Sequence, residues 1–139
     1  MDRDDLGFLL AKATQRWNEL LQERFRVAGW GAVRPSYGSI LVPLFEEDGL
    51  RIGELGRRAR LSKQTMTTMV RLLERDGLVR RERDPDDGRA FRIVLTAKAR
   101  RFEPVAERTL TELGALARER LGERRLQSVK HALKEWIET

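Results

Sequence analysis

From Leu6 the apolar residues Leu9, Leu10, Ala13, Trp17, Leu20, Leu21 and Phe25 recur at steps of three and four. That is the period of a helix with one buried stripe, and Gly29 and Gly31 end it. Pro35 suits a first helical position, and residues 37–47 predict a short second helix that Pro43 should bend. Asp48 and Gly49 then mark a turn. Near the other end, Phe102, Val105, Ala106, Leu110, Leu113 and Ala117 predict one long amphipathic helix. After Gly122 a further one carries Leu126, Val129, Leu133, Trp136 and Ile137. No internal repeat or low-complexity segment interrupts this layout.

The middle of the chain follows a tighter pattern. Residues 51–59 read as a short helix with Ile52, Leu55 and Ala59 inward, and Arg60, Leu61 and Ser62 form a turn. Ser62 is a good N-cap for a helix over 63–76, because its hydroxyl can accept a hydrogen bond from a first-turn amide. Gly77 closes that helix. Met66, Met69, Val70 and Leu73 share one face of it, and Gln64, Thr67, Thr68, Arg71 and Arg75 share the opposite one. A merely solvated face is usually filled with Glu and Lys. Gln, Thr and Arg can instead read base edges: amide to adenine, guanidinium to guanine, Thr methyl to thymine methyl. Two short helices joined by a tight turn, the second with such a face, predict a DNA-binding helix-turn-helix.

Two strand-like runs follow, 78–83 and 90–95, the second alternating Phe91, Ile93 and Leu95. Between them "DPDDGR" holds turn-forming residues. The unit predicts a β-hairpin wing. Its arginines Arg80, Arg81, Arg83, Arg89 and Arg92 could contact the phosphate backbone, and one near the tip could enter the minor groove.

Composition narrows the alternatives. The 139 residues suit one domain with a modest core, and the net charge of +6 is unevenly spread. Residues 1–50 carry −2, 51–92 carry +5 and 93–139 carry +3, so the middle segment is the one suited to meeting phosphates. The chain has no cysteine, which excludes a disulfide framework, a thiolate metal site and thiol-based oxidant sensing. Its sole histidine, His131, has no nearby pair of carboxylates at a spacing that suggests general acid/base work, and the chain has no phosphate-cradling glycine loop, so no enzyme, metal or cofactor is expected. The longest apolar run, 40–45, is far below the roughly 20 residues of a membrane span. The acidic start "MDRDDLGFLL" does not resemble a signal peptide, and a cytoplasmic protein without membrane contact is expected.

The run "LSKQTMTTMVRLLERDGLVRRERDPDDGRAFRIVLT" from Leu61 resembles the winged helix-turn-helix of the MarR family of bacterial transcription regulators. Leu73 to Arg81 fit the family's Leu-Glu-x-x-Gly-Leu-Val-x-Arg junction, Asp84, Asp87 and Arg89 its Asp-x-x-Asp-x-Arg wing, and Leu95 and Thr96 the Leu-Thr that follows. The match is detailed over the middle third and extends to the helical ends in layout only. Ala99, where the family often has glycine, Gly56, where it has alanine, and Pro43 depart from the pattern. Gly56 should loosen its helix. The resemblance implies that Asp87 braces the Arg89 guanidinium where it can meet DNA, with Asp84 left to cap the turn. It also implies that an aromatic acid or phenol binds between the dimerisation helices and the DNA-binding lobe, in a region that holds Trp17, Trp30, Arg34 and Tyr37.

Together these readings predict a mainly α fold with a small β-wing. The chain forms a single MarR-like domain, with dimerisation helices at 1–30 and 100–139 and a winged helix-turn-helix lobe at 35–98. Its long terminal helices carry more apolar surface than so small a middle can cover, so a two-fold homodimer is expected. The candidate contacts to double-stranded DNA are Ser62, Lys63, Gln64, Thr65, Thr67, Thr68, Arg71, Arg83, Asp87 and Arg89. The expected function is sequence-specific regulation of transcription, as a homodimeric repressor of a palindromic operator released by a small aromatic effector. The competing reading is a winged helix that binds DNA without sequence preference or serves as a protein-interaction module.

Overall fold

The computed structural model describes residues 1–139. Six helices and three strands follow in the order α1 (Leu6–Val27), a 3-10 turn (Pro35–Tyr37), α2 (Gly38–Glu46), β1 (Leu50–Arg51), α3 (Ile52–Ala59), α4 (Lys63–Arg75), β2 (Val79–Asp84), β3 (Asp87–Leu95), α5 (Ala97–Leu121) and α6 (Glu123–Ile137). The predominantly helical fold with a small wing is the expected class. No helix is long and apolar enough to cross a membrane.

Three helix starts are capped by a side chain. Asp5 accepts the Phe8 N–H to cap α1, Ser62 accepts the Thr65 N–H to cap α4, and Thr96 accepts the Ala99 N–H to cap α5. Helix α4 ends one residue earlier than its predicted end: Asp76 is the cap, and Gly77, at φ +75°, takes the left-handed position beyond it. Pro43 lies inside α2, which continues through it to Glu46. A proline this far into a helix deletes one internal hydrogen bond, which a short helix flanked by tertiary contacts tolerates.

Two expectations needed correction. Residue 51 belongs to a strand rather than to the first helix: Leu50 pairs with Ile93 and Arg51 with Arg92, giving the antiparallel order β1-β3-β2. A two-residue strand has no periodicity to read, so only the pairing reveals it. The wing turn is also shorter than the six residues "DPDDGR", because β3 begins at Asp87 and only Pro85 and Asp86 stand between the strands. A bulge between Arg83 and Asp84 adjusts the register there.

The core joins all parts of the lobe. Tyr37, Ile40, Leu44, Leu55, Val70, Leu73, Leu78 and Ile93 are fully enclosed. Leu21 and Phe25 from α1 and Phe102 and Leu113 from α5 extend the same cluster, with the Phe25 and Phe102 rings packed edge to face at 5.0 Å. Thr96 ties the layers together, donating its hydroxyl to the Gly77 carbonyl at 2.6 Å while capping α5. Helix α6 touches only α5 to any extent, and Leu126 is its one buried residue.

Candidate nucleic-acid interface

Helix α3, the turn at 60–62 and α4 form the expected helix-turn-helix. Arg60 adopts φ +56°, the left-handed conformation that reverses the chain, and the Leu61 N–H donates to the Gly56 carbonyl. Met66, Val70 and Leu73 hold α4 against the core. That anchoring leaves Ser62, Lys63, Gln64, Thr65, Thr67, Thr68 and Arg71 all exposed along the outer side of the helix. The Thr67 hydroxyl donates to the Lys63 carbonyl at 3.0 Å. Its remaining surface, a methyl and oxygen lone pairs, suits contact with a thymine methyl or a base donor.

Ion pairing sorts the arginines more sharply than sequence could. Residues 51–92 hold twelve basic side chains, and seven of them, Arg51, Arg57, Arg58, Arg75, Arg80, Arg81 and Arg92, lie against carboxylates of the same chain. The five left without an acidic partner are Arg60, Lys63, Arg71, Arg83 and Arg89. Four of these are predicted DNA contacts. A cation with no internal counter-charge projects the most field and loses no ion pair when it meets a phosphate. Arg75, Arg80, Arg81 and Arg92, expected to help bind DNA, hold Asp76, Glu82, Glu74 and Asp84 in the free chain. Arg60 was missed because nothing in "RRARLS" separates it from its paired neighbours.

The wing presents its free cations near its tip. Arg83 donates to the Gly88 carbonyl at 2.9 Å, and its guanidinium lies over the Phe91 ring, 5.8 Å from the centroid. Phe91 is therefore exposed beneath an arginine, while Ile93 and Leu95 from the same alternation are buried. The Asp87 carboxylate accepts the backbone N–H of Arg89 at 3.0 Å and forms no ion pair with its guanidinium. The implied brace on the guanidinium is therefore not formed in this structure: Asp87 closes a local turn on the Arg89 backbone, and the guanidinium is free.

Asp84 does more than cap. Oδ1 accepts the Asp86 N–H at 2.9 Å, as expected of a turn cap. Oδ2 accepts the Arg51 Nε–H at 2.6 Å, and Arg92 Nε lies 3.3 Å away, attracted by charge but too far off line to hydrogen bond. The Asp86 amide, followed by the two arginines, holds this enclosed carboxyl below the ordinary aspartate range.

The four proposed effector contacts separate. Trp17 and Arg34 line a cleft of about 240 Å3 between α1, α2 and α5, walled by Leu21, Leu41, Phe45 and Phe102. Tyr37 is buried and donates its hydroxyl to Asp76 Oδ2 at 2.5 Å, so it is a core residue. Trp30 packs on Phe102 at 5.3 Å and faces a different cleft with Lys98 and Arg101. Aromatic type and nearness in sequence cannot reveal this partition, which depends on where the 28–34 segment turns. His131 is exposed beside Glu135 on α6.

Comparison with known proteins adds to this geometry. The family described as MarR matches residues 35–91. The HTH-type transcriptional regulator TtmR of Methylorubrum extorquens is 38% identical over 91 residues, covering 66% of this chain and 46% of TtmR. The chain spans about half the length of the curated relatives it matches. Among solved structures, a probable transcriptional regulator from Pseudomonas aeruginosa superposes with a TM-score of 0.84 at 27% identity, covering 96% of this chain and 97% of that one. Reduced AbfR bound to DNA superposes with a TM-score of 0.66 at 25% identity, covering 98% and 95%.

Proposed function

The chain belongs to the MarR family, and from that premise we propose that it is a homodimeric, cytoplasmic transcription regulator that represses from a pseudo-palindromic operator. Residues 63–71 of α4 enter the major groove, with Gln64, Thr67, Thr68 and Arg71 toward base edges and Ser62, Lys63 and Thr65 toward phosphates. Arg89 enters the flanking minor groove, Arg83 contacts the backbone, and Asp87 fixes the Arg89 backbone. The two half-sites lie about one helical turn, ~34 Å, apart. The observation that carries this reading is the coincidence of exposure and charge: Lys63, Arg71, Arg83 and Arg89 are exposed cations with no acidic partner on the α4 and wing surface. DNA bound by AbfR, a protein of the same fold, supports it.

The second copy docks on the terminal helices. Val129, Leu133, Trp136 and Ile137 form one exposed apolar stripe on α6, and Leu6 and Leu9 are exposed on α1. Burying such a stripe against its symmetry mate removes apolar surface that this chain cannot cover alone. An aromatic acid in the Trp17 and Arg34 cleft, its carboxylate on Arg34, would sit where α1, α2 and α5 meet and change the spacing of the two lobes.

The test is binding of the purified protein to the intergenic DNA beside its own gene, against random duplex, across a salt series. Preference for an inverted repeat that persists as salt rises is the expected result. Equal affinity for both duplexes at every salt concentration overturns the reading in favour of binding without sequence preference.

A further inference from the structure

Residues on the wing face opposite the core set up an electrostatic problem. The sheet register puts Arg51 directly across from Arg92. Like charges in directly opposed positions push strands apart. Glu82, which also pairs with Arg92 in register, has its carboxylate on Arg80. The countercharge between Arg51 and Arg92 is therefore Asp84, whose side chain is fully enclosed while theirs are 51% and 39% exposed.

Position gives this contact its meaning. Asp84 is the last residue of β2, beside the two-residue turn at the wing tip, and Arg51 is the residue that precedes the first turn of α3. Strand β1, of two residues, is too short to fix the angle between wing and helix pair by itself. A single carboxylate oxygen held 2.6 Å from Arg51 Nε thus clamps the distal end of the hairpin to the start of the helix-turn-helix.

We propose that Asp84 is a positioning residue for DNA recognition, holding the wing at the pitch at which Arg89 and α4 engage one duplex together. It touches no DNA itself; it acts through Arg51 and Arg92. This rests on the wing reading given under Proposed function. Arg89 is a flexible side chain at the end of a lever, so freedom in the lever spreads its positions and raises the ordering cost of every contact it makes.

The decisive experiment is a double-mutant cycle on affinity for the intergenic duplex. Asp84→Asn keeps an oxygen for the Asp86 N–H and keeps the volume, but removes the charge between the two arginines. In the native protein, Arg89→Ala should weaken binding about tenfold and lower the slope of log K against log salt by about one. In the Asp84→Asn protein, Arg89→Ala should cost less than about twofold, because the wing contact is already lost. Arg71→Ala on α4 must still cost its full factor in that background, which separates loss of wing placement from general damage to the fold. Arg51→Gln supplies an independent way to open the clamp and should show the same selective loss. If Arg89→Ala costs the same factor with and without Asp84, or if Arg71→Ala loses its effect alongside it, the positioning role is overturned. If Arg89→Ala is silent in the native protein, the wing reading itself fails and this inference falls with it.

Discussion

Replacing Tyr37 by Phe tests the internal connection at the end of α4. The Tyr37 hydroxyl is enclosed and donates to Asp76, the residue that caps the carboxy-terminal end of α4. A hydrogen bond to an ionised partner contributes about 1.5–3 kcal/mol. Asp76 keeps Arg75 and some access to water in the variant, and Phe leaves no unpaired donor behind, so the loss should lie near the lower end, about 1.5–2 kcal/mol. Unfolding entropy of about 2.1 cal/mol/K per residue converts this to a fall in Tm of roughly 5–7 °C for a chain of 139 residues. The pH dependence provides the sharper check. Arg75, and after it Tyr37, depress the Asp76 carboxyl below its ordinary range in the folded state. A depressed carboxyl contributes stability that is complete above its unfolded value, near 3.9, and is lost as pH falls through the lower folded value. The gap between native and Tyr37→Phe proteins should therefore be full at pH 7 and shrink toward about 1 kcal/mol, the worth of a neutral bond, once pH has fallen through the lowered folded value. Urea denaturation followed by helical circular dichroism, at one fixed protein concentration, measures both. A gap that stays constant with pH would show that the hydroxyl acts through packing, and the bond to an ionised Asp76 would be rejected.

Other substitutions probe the remaining elements. Asp87→Ala removes the acceptor for the Arg89 N–H and should weaken operator binding several-fold with little change in Tm; unchanged affinity in fluorescence anisotropy rejects the brace. Gly56→Ala adds a Cβ 3.2 Å from Met66 Cγ, and the cleft of about 420 Å3 beside Met66 gives that side chain room to yield. The gain in helix propensity should then prevail by about 0.5–1 kcal/mol, raising Tm, and a fall would mean that Met66 is held rigidly. Light scattering should give about twice the 16.1 kDa of one chain for the native protein and a concentration-dependent shift to monomer for Leu133→Glu; a native monomer at micromolar concentration excludes the dimer.

Much of this molecule is legible from local signals. The three-and-four spacing from Leu6 to Phe25 marks α1 because one apolar stripe is all that a surface helix needs. Ser62 and Gly77 mark α4 because capping is a contest between neighbouring backbone groups and one side chain, settled within a few residues. The outward face of α4 was readable for the same reason: once Met66, Val70 and Leu73 turn inward, helical geometry places Gln64, Thr68 and Arg71 outside. Strand β1 escaped because two residues carry no period, and Arg51 escaped with it. Residue type alone groups Tyr37 and Trp30 with Trp17 and Arg34, whereas burial and the path of the chain send them to different places.

By itself, the sequence determined the helices, the inward face of α4, the wing and the position of the positive charge, since each follows from periodicity, capping or turn chemistry acting over a few residues. Tertiary structure decided which of those charges are free. Arg71 and Arg89 are unpaired while Arg81 and Arg92 are engaged, because carboxylates from other elements, Glu74 of α4 and Asp84 of β2, reach the latter and not the former. Tertiary structure also made Asp84 a clamp, by closing a strand of two residues over it and bringing Arg51 to a carboxylate 33 positions away. Electrostatic partnership depends on distance in space, and spacing along the chain fixes that distance only within a single element.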